Sequence, residues 1–532
     1  MANEPDKDMA NEPDKDMATE PNKDTASEPN QDVKRWNHSV YESIISVDSP
    51  YYLKTCSISI VPERLKECNE DAYMPKVVSI GPRFRGTRED LLLMEKIKLQ
   101  CMSSLLHRSN DMQAQDYFEK CSDVILELDE KVRACYVNVI KLTKYELANI
   151  MLVDGCFLLE LLISNDLKLN HELKSSSKYP SPGPEVVKDE EVLSDLLLLE
   201  NQIPLRILHK LTQILFPNEF TKDHVQRVTR INDLALSLFG YTHFGNPGAP
   251  HFIELVHSSI NKEAIKIEDG QEVVKIEETQ QYLSHVVKSH VEVKLKCCAT
   301  RLKAAGVTIT LPDRDRRLVN LQGNCFGRML IRLGNMLVNR EANMLETVEM
   351  TKFDFDIKFN NGKLEIPQLH ITGTTQAKWR NFIALEHHKK KWKSTAAYDY
   401  SGKCTWSALF FDGLICCGAD VQLLKDKNII VDHLKMSNKK LDNYFGTISR
   451  GVDHEIVDSS YIKIFNDLNN YSRANFFIRI CKIWWHDFRF RAEQFVEFMG
   501  SGYNFAAILL SLLAIPQTIY AILPYYRPSH AH

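Results

Sequence analysis

The feature that most constrains this chain is one long apolar run without a charge, Phe505–Leu523, with the sequence FAAILLSLLAIPQTIYAIL. A helix of about 19 residues is about 28 Å long, close to the roughly 30 Å hydrocarbon thickness of a bilayer. The run is apolar on every side, whereas a core helix of a soluble domain usually keeps a polar stripe. Pro516 is compatible with a kinked spanning helix. The run therefore predicts a transmembrane helix, and the alternative is the last core helix of a soluble domain.

The residues that flank the run predict its orientation. Tyr503 and Tyr520 lie near the two ends of the run, where aromatic rings favour the headgroup region of the bilayer. Of the Lys and Arg residues, only Arg527 follows the run. The positive-inside rule therefore predicts a C-terminal, single-pass anchor with a cytosolic body and a short tail, residues 524–532, without distinguishing plasma membrane from endomembrane. The stretch Phe476–Phe498 fits either an interfacial helix or a core helix with a basic outer face. The basic residues before the run are Arg473, Arg479, Lys482, Arg489 and Arg491.

The composition is that of a folded protein without an overall attraction to nucleic acid. Of 532 residues, 44% are hydrophobic and 26% are charged, and the formal net charge is −4. The first residues, MANEPDKDMANEPDKD, lack the apolar core of a signal peptide. The 13 cysteines are an odd number without C-x-x-C spacing, so we expect free thiols in a reducing compartment. Asn37 and Asn470 lie in glycosylation triplets, and their use stays open.

The chain is expected to be mainly α-helical, of the α+β class, with a small β-hairpin in its C-terminal half. Residues 1–36 contain octapeptide repeats such as MANEPDKD, which bury almost nothing and are predicted to be disordered. Residues 38–500 form a mostly helical body, and a charged linker near 261–296 separates its two halves. Apolar spacing predicts amphipathic helices over 88–106, 111–129, 130–150, 144–164, 192–215, 378–385, 407–424 and 461–498.

Local turn signals divide this helical body. Pro204 is expected to kink or divide the helix over 192–215. The stretch His171–Glu191 is rich in Ser, Pro and charges and is expected to be a loop. Near residues 352–371, Phe353 to Phe359 alternate with polar residues, and Asn361-Gly362 is a strong type I′ turn signal. That region predicts the β-hairpin.

The sequence contains no known catalytic or nucleotide-binding motif. We therefore expect no enzyme and assign no catalytic, cofactor-binding or metal residue. Asp154, Glu160 and Glu200 lie in apolar helical contexts, where paired carboxylates could perform acid–base chemistry. We expect them instead to cap helices or to pair with Arg206 or Lys210.

Several polar residues have simpler structural interpretations. Asn201 and Gln202 are expected to satisfy backbone groups that Pro204 leaves unbonded. Cys156 is expected to be a buried structural thiol. The run His387–Lys393 is expected to be a solvated loop, and contact with anionic lipid is the alternative. Two adjacent pairs, Cys297/Cys298 and Cys416/Cys417, could bind a metal only with partners from elsewhere in the chain, and no metal is expected there.

Six sequence blocks, in this order, resemble the plant domain-of-unknown-function 247 (DUF247) family over Val40 to Leu523. The resemblance implies a mostly helical plant membrane protein with a C-terminal spanning helix and no established enzymatic activity. Some members of that family look like recognition components of self-incompatibility. The blocks are SIGP at Ser79–Pro82, DGCFLLELL at Asp154–Leu162, DLLLLENQIPLRIL at Asp195–Leu208, ATRLKAAGV at Ala299–Val307, LEIPQLHI at Leu364–Ile371 and NFIALE at Asn381–Glu386.

Three classes of function are open. The preferred hypothesis is a membrane-anchored module for protein interaction or recognition, held in the lipid bilayer by Phe505–Leu523 and bound to a protein partner of unknown identity. The second is a membrane-bound enzyme whose site is assembled around Asp154, Glu200 and His209. The third is a structural scaffold whose last helix drives association. A small-molecule ligand is unknown, and nucleic acid is not expected as a partner.

Overall fold

The computed structural model describes most of the chain between residues 56 and 473. The described ranges are 56–108, 113–174, 181–217, 223–241, 248–261, 295–316, 352–393, 402–453, 459–473 and 512–521, with the single residues 33, 220, 484, 485, 488, 489, 491 and 510. Nearly all of residues 1–36, residues 262–294 of the linker and the tail 524–532 lie outside the described residues, and so do the predictions made for them. The chain divides into two compact units, Met1–Lys54 and Thr55–His532, and the elements below belong to the second.

In its described residues the chain is mainly helical with two small sheets, which confirms the predicted mainly α-helical class with a small β element. In the first half the helices are α1 Glu63–Lys66, α2 Leu92–Leu106, α3 Ala114–Glu127, α4 Asp129–Arg133, α5 Lys144–Asn165, α6 Leu167–Lys174, α7 Gly183–Val186, α8 Glu190–Asp195, α9 Leu205–Leu215, α10 His224–Leu238 and α11 Phe252–Asn261. In the second half they are α12 Ala299–Ala304, α13 Thr375–Lys393, α14 Lys403–Leu414, α15 Gly418–Asp426, α16 Asn438–Ser449 and α17 Ser459–Arg473.

The strands are short and lie in the second half. They are β1 Thr308–Thr310, β2 Lys358–Asn360, β3 Lys363–Glu365, β4 Leu369–Ile371 and β5 Ile430–Asp432. One sheet has the order β1-β3-β2, with β1 parallel and β2 antiparallel to β3, and a second sheet pairs β4 with β5 in parallel. The hairpin predicted near 352–371 is present as β2 and β3, and Asn361 (φ 49°) and Gly362 (φ 78°) supply the positive φ angles of its turn.

Helix α5 is the centre of the first half. It begins with a capping box in which the Glu146 backbone N–H donates to the Thr143 hydroxyl, and the Thr143 backbone N–H donates to the Glu146 carboxylate. Almost every side chain from Leu147 to Ser164 is buried, because α2, α3, α9 and α10 pack around the helix. The helix predicted over 144–164 is therefore confirmed, but the prediction that it is amphipathic is wrong. From Ile150 to Ser164, no side of the helix faces solvent.

Other predicted boundaries also need correction. The helix predicted over 130–150 is wrong, because α4 ends at Arg133 and the next helix begins at Lys144. Pro204 divides the helix predicted over 192–215, and it stands as the N-cap of α9. The predicted loop His171–Glu191 contains α7 and the edges of α6 and α8, and the helix predicted over 407–424 consists of α14 and α15.

The two halves share one hydrophobic core, although the linker separates them in sequence. Helix α13 connects them through Asn381, whose side-chain oxygen accepts a 2.8 Å hydrogen bond from the Leu199 N–H. The same amide donates to the Ala72 carbonyl at 2.8 Å. Two residues before Asn381, the indole N–H of Trp379 donates to the Cys404 carbonyl at 2.9 Å. The NFIALE block is thus part of the contact between the halves.

Among the described helices, only α5 is long and apolar enough by itself to cross a bilayer, and 94% of its apolar window is buried inside the protein. Helices α14 and α15 would pass the same test only as one span, but they are bent by 113°. Within Phe505–Leu523 the structure describes Leu510 and a short apolar helix, Leu512–Ala521, which is shorter than the roughly 20 residues that a span needs. The transmembrane helix therefore stays a prediction.

Replacing Gly362 by alanine should destabilise the protein by at least about 1–2 kcal/mol, the cost of a side chain in the left-handed region. An added Cβ would also lie 2.4 Å from the Tyr471 hydroxyl. Gly373→Ala is the matched control, because nothing lies within 4 Å of its Cβ position. Thermal unfolding of both variants checks this. Equal melting temperatures for the two variants would contradict the hairpin geometry.

Candidate functional site

The SIGP block is a loop whose backbone is held by side chains of the DLLLLENQIPLRIL block. The Asp195 carboxylate accepts hydrogen bonds from the N–H groups of Lys76, Val77 and Val78, at 2.7 to 3.0 Å. Asn201 accepts from the Ile80 N–H at 2.6 Å and donates to the Val78 carbonyl at 3.0 Å. Two polar side chains of one block therefore fix the conformation of the other block.

Gly81 is the point of closest approach within this loop. Its φ of +76° lies in the left-handed region, and a Cβ there would lie 2.6 Å from the Gln202 carbonyl oxygen. Its N–H donates to Asp154 Oδ2 at 2.7 Å. The Tyr136 hydroxyl donates to the same Gln202 carbonyl at 2.9 Å. A glycine at this position lets the SIGP, DGCF and ENQIP segments meet.

Beneath the loop lies a buried ion pair between Lys98 and Asp154, both with side chains 0% exposed. Lys98 Nζ lies 2.7 Å from Asp154 Oδ1 and 2.7 Å from Glu95 Oε1, and it also donates to the Ser79 carbonyl. Arg85 contacts Glu95 at 2.7 Å and Asp154 at 3.4 Å. Burial raises the pKa of Asp154, and Lys98 and Arg85 oppose that rise. Two cations and two carboxylates therefore balance one another.

The other two carboxylates predicted as candidates also have structural partners. Glu200 accepts from the Val61 N–H at 2.8 Å and from Arg83 Nε at 3.1 Å. Glu160 pairs with the buried Arg108 and accepts from Ser181 at 2.5 Å. The predicted partners Arg206 and Lys210 are wrong, because both are exposed on α9.

The residues of the hypothetical enzyme site do not meet. Among the residues that the structure describes, His209 makes no hydrogen bond or ion pair with Asp154 or Glu200. Burial lowers the pKa of His209 to about 4, and its side chain is hydrogen-bonded to Asn232. A neutral imidazole packed against α10 is a structural group in this fold.

The prediction for Asn201 and Gln202 is confirmed in part. The Gln202 amide donates to the carbonyls of Leu196 and Leu198, at 2.7 and 2.9 Å, in the turn before Pro204. Beyond that turn, Asn201 also binds the SIGP loop, which sequence spacing did not indicate. Cys156 is buried, as predicted, and burial raises the pKa of its thiol well above the ordinary value.

A second buried polar centre joins α11, α13 and α14. Glu386 accepts from His257 Nε2 at 2.9 Å and from the N–H groups of Cys404 and Thr405, at 2.9 and 2.7 Å, at the start of α14. Ligand atoms of His257, Glu386 and Cys404 all lie within 4.8 Å of one another, which is within reach of a metal ion. However, Lys389 Nζ lies 3.1 Å from His257 Nδ1, and its positive charge disfavours a cation there.

The same centre shows how burial and charge compete. Burial opposes ionisation of Glu254, but Lys389 at 2.6 Å and the neighbouring histidines outweigh it and lower the pKa to about 2. Burial raises the pKa of the Cys404 thiol well above its ordinary value, and Glu386 adds to that rise. A thiol that resists ionisation is a poor nucleophile. The arrangement therefore resembles a catalytic set in composition, and its observed hydrogen bonds join α11, α13 and α14.

The basic run His387–Lys393 is not the solvated loop predicted from the sequence. It forms the last two turns of α13, and His387 and Lys389 are buried. His387 Nδ1 lies 3.4 Å from Arg64 Nη2, and its Nε2 accepts from the Asp453 N–H at 3.3 Å. The run packs against α11 and against the segment that contains Arg64. The charge of the run alone had suggested exposure to solvent, so the sequence did not indicate this packing.

A surface cleft of about 260 Å³ opens beside the SIGP loop. Its walls include two segments that an isolated parallel β-bridge joins, between Ile58 and Tyr136. Val139 is 89% exposed at the cleft, and the buried Ser59 hydroxyl has no hydrogen-bond partner in the described part of the chain. The cleft thus combines apolar surface with an unsatisfied polar group. It is lined by Ile58–Ile60, Pro82–Arg83, Tyr136, Asn138–Leu142 and Glu200.

Comparisons with known proteins agree with the resemblance of the sequence blocks. The model of the DUF247 family, described as a plant protein of unknown function, matches residues 58–512. The UPF0481 protein At3g47200 of Arabidopsis thaliana is 24% identical over 486 residues, 89% of this chain and 87% of that protein. The putative UPF0481 protein At3g02645 of the same plant is 32% identical over 178 residues, 33% of this chain and 31% of that protein. No solved structure matches significantly.

Asp154→Ala should destabilise the protein by about 3–5 kcal/mol, because it leaves the buried Lys98 ammonium without its main partner. The double variant Lys98→Met/Asp154→Leu should lose less, since it removes both buried charges. Asp90→Ala is the control, because it breaks only the exposed pair with Arg88 and should change little. Urea unfolding of the purified proteins measures all three. If Asp154→Ala lost no more stability than Asp90→Ala, the buried pair would not stabilise the loop.

Proposed function

The chain belongs to the DUF247 family of plant proteins of unknown function, and from that premise we propose that it is a membrane-anchored module that binds another protein. The binding surface is the cleft beside the SIGP loop. Its occupant is an extended segment of a partner that carries an apolar side chain next to carboxylates. This proposal assigns recognition, and no reaction, to the cytosolic body.

The cleft is the observation that carries the proposal. Its volume of about 260 Å³ is below the roughly 300–1,000 Å³ of small-molecule pockets and suits one or two side chains of a peptide. Exposed Val139 and Ile60 offer apolar contacts, and the buried Ser59 hydroxyl beside them has no hydrogen-bond partner in the described part of the chain. The backbone at the Ile58–Tyr136 bridge is the place where a partner segment would add as a strand.

Charge selects the class of partner. Arg83 is about half exposed and uses its Nε for Glu200, and Lys141 lines the same cleft. Two cations against the one, mostly buried, carboxylate of Glu200 give the mouth of the cleft a positive balance. A segment with acidic residues on either side of an apolar anchor complements that balance.

An enzyme is less well supported than a binding module. Asp154, Glu160 and Glu200 are engaged by cations and backbone N–H groups, and His209 packs apart from them. A general acid or base needs hydrogen-bond reach to a substrate in a pocket. Among the described residues, these groups instead stabilise the loop and the helices around α5.

Exposed apolar side chains support the membrane part of the proposal. Large apolar residues usually lie inside a protein, and a group of them exposed together marks a partner or a membrane. Exposed apolar residues of this kind lie between Trp484 and Tyr520, some within Phe505–Leu523 and some in the residues before it. The length of Phe505–Leu523 and its lack of charge suit a transmembrane span. Its exposed members are Trp484, Trp485, Phe488, Leu510, Leu512, Leu513, Ile515, Ile519 and Tyr520.

Val139→Asp should abolish partner binding, because it places a charge at the most exposed apolar position of the cleft. Loss of an interface hot spot costs at least about 2 kcal/mol, or roughly 30-fold in affinity. Proximity labelling by the full chain in plant cells, followed by affinity measurement with the labelled partners, tests this. Val225→Asp is the matched control, since Val225 is 66% exposed on α10, outside the cleft. Unchanged labelling by Val139→Asp, or no reproducible partner at all, would refute the cleft.

The full chain should stay with membranes after alkaline carbonate washing, and deletion of residues 500–532 should release it. Deletion of residues 524–532 alone is the control and should leave the chain bound, because the apolar run is intact. A fluorescent protein fused to the N-terminus should be digested by protease added outside intact vesicles. Release of the full chain by carbonate would refute the anchor, and attached sugar at Asn470 would reverse the orientation.

A further inference from the structure

The two adjacent cysteine pairs, far apart in sequence, meet at the starts of α12 and α15. Cys298 is the N-cap of α12, Cys417 is the N-cap of α15, and Asp420 lies in the first turn of α15. The ligand atoms of Cys298, Cys416 and Asp420 all lie within 4.8 Å of one another. Sequence reasoning required a partner from elsewhere before these cysteines could bind a metal. The fold brings the pairs together and adds a carboxylate.

Asp420 divides its two oxygens between different tasks. Oδ1 accepts from the Thr300 N–H at 2.8 Å and from the Thr300 hydroxyl at 2.7 Å, which fixes the carboxylate in place. Oδ2 faces sulfur, with Cys416 Sγ at 3.2 Å and Cys417 Sγ at 3.4 Å, and it accepts from the Cys416 N–H at 3.1 Å. One oxygen is thus held by Thr300, and the other points at the thiols.

This carboxylate is buried and has no ion pair in the described part of the chain. Asp195 is a useful comparison, because it is also buried and binds a row of three backbone N–H groups. Asp420 accepts from two backbone N–H groups and one hydroxyl, and two S–H groups, which are weak donors, also contact its Oδ2.

We propose that Cys298, Cys416 and Asp420 bind one Zn²⁺ ion, with water in the fourth position. In a tetrahedral site with Zn–S of about 2.3 Å and Zn–O of about 2.0 Å, sulfur and oxygen ligands lie about 3.5 Å apart. The observed Cys416 Sγ to Asp420 Oδ2 distance of 3.2 Å is close to that value. Two thiolates select Zn²⁺ over Mg²⁺ and Ca²⁺. Cys416 is exposed, so solvent reaches the site.

Zn²⁺ binding converts the Cys298 and Cys416 thiols into thiolates and releases two protons. Asp420 Oδ2, which contacts thiol groups in the metal-free protein, then contacts the metal ion instead. The charges of two thiolates and one carboxylate are then partly neutralised by Zn²⁺. Affinity should therefore fall as the pH is lowered. The ion would join α12 to α15. Helix α12 lies shortly after residues 262–294 of the linker, and α15 lies further along the C-terminal half. This link between the two helices is independent of the cleft and of the membrane anchor.

Titration of the full, detergent-solubilised chain tests the site. The reduced, metal-stripped protein should bind one equivalent of Zn²⁺ and melt at a higher temperature with it. Co²⁺ in its place should give the intense ligand-field bands of a tetrahedral site and thiolate-to-cobalt charge transfer. Cys298→Ser and Cys416→Ser should each weaken Zn²⁺ binding by more than about 100-fold, beyond the 10- to 100-fold typical of outer-shell partners.

Asp420→Asn is the most informative variant, since its amide oxygen can still accept from Thr300 while an NH2 group replaces the metal-facing Oδ2. It should lower Zn²⁺ affinity by at least about tenfold. The metal-free variant should melt somewhat below the wild type, because the NH2 group cannot accept from the Cys416 N–H, so affinity is measured at a temperature where both proteins are folded. Cys68→Ser is the control, because its thiol donates to the Arg64 carbonyl away from this cluster, and it should bind Zn²⁺ normally. Absence of binding, binding unaffected by Cys416→Ser, or a Cys298–Cys416 disulfide in the reduced preparation would each overturn the proposal.

Discussion

The fold depends on the ion pair between Lys98 and Asp154, which lies entirely out of water. An isolated ion in such a position costs several kcal/mol, so each charge stays buried only while the other holds its place. The pair joins α2 to α5, and through Ser79 and Gly81 it also positions the backbone of the SIGP loop. A helix as completely surrounded as α5 can contain Asp154 only because Lys98 reaches it.

The same requirement explains the polar residues of the other sequence blocks. Arg380, almost fully buried next to NFIALE, donates to the carbonyls of Leu65 and Ile448, at 2.7 and 3.2 Å. Glu386, in the same block, accepts the first N–H groups of α14 and a hydrogen bond from His257. Each of these groups satisfies backbone or charge on a segment far away in sequence. The polar residues of these blocks therefore join segments of one core, which is a sufficient physical reason for their chemistry.

Sequence reasoning succeeded where the physics is local. Asn361-Gly362 fixed the hairpin because positive φ angles restrict the residue types, and Pro204 divided a helix because it lacks an N–H. It failed for α5, since periodicity cannot reveal that four helices surround a segment. It also missed Lys98, which lies in a pattern typical of a surface face. The partners of Asp154 and Asp420 are 56 and 120 residues away, and only the tertiary fold brings them together.

Because the charged groups of these blocks have partners in the core, chemical capacity is left to groups that line a cleft or a thiol cluster. The Ser59 hydroxyl is unsatisfied at a cleft, and the Asp420 carboxylate faces thiols instead of a cation. Hydropathy alone does not separate α5 from Phe505–Leu523, since both are long apolar runs. Burial separates them, because α5 is covered by its neighbours, whereas the described residues from Leu510 to Ala521 are exposed. An apolar surface of that kind is stable only when lipid or protein covers it, which supports the proposed anchor and places the proposed recognition at the surface of this fold.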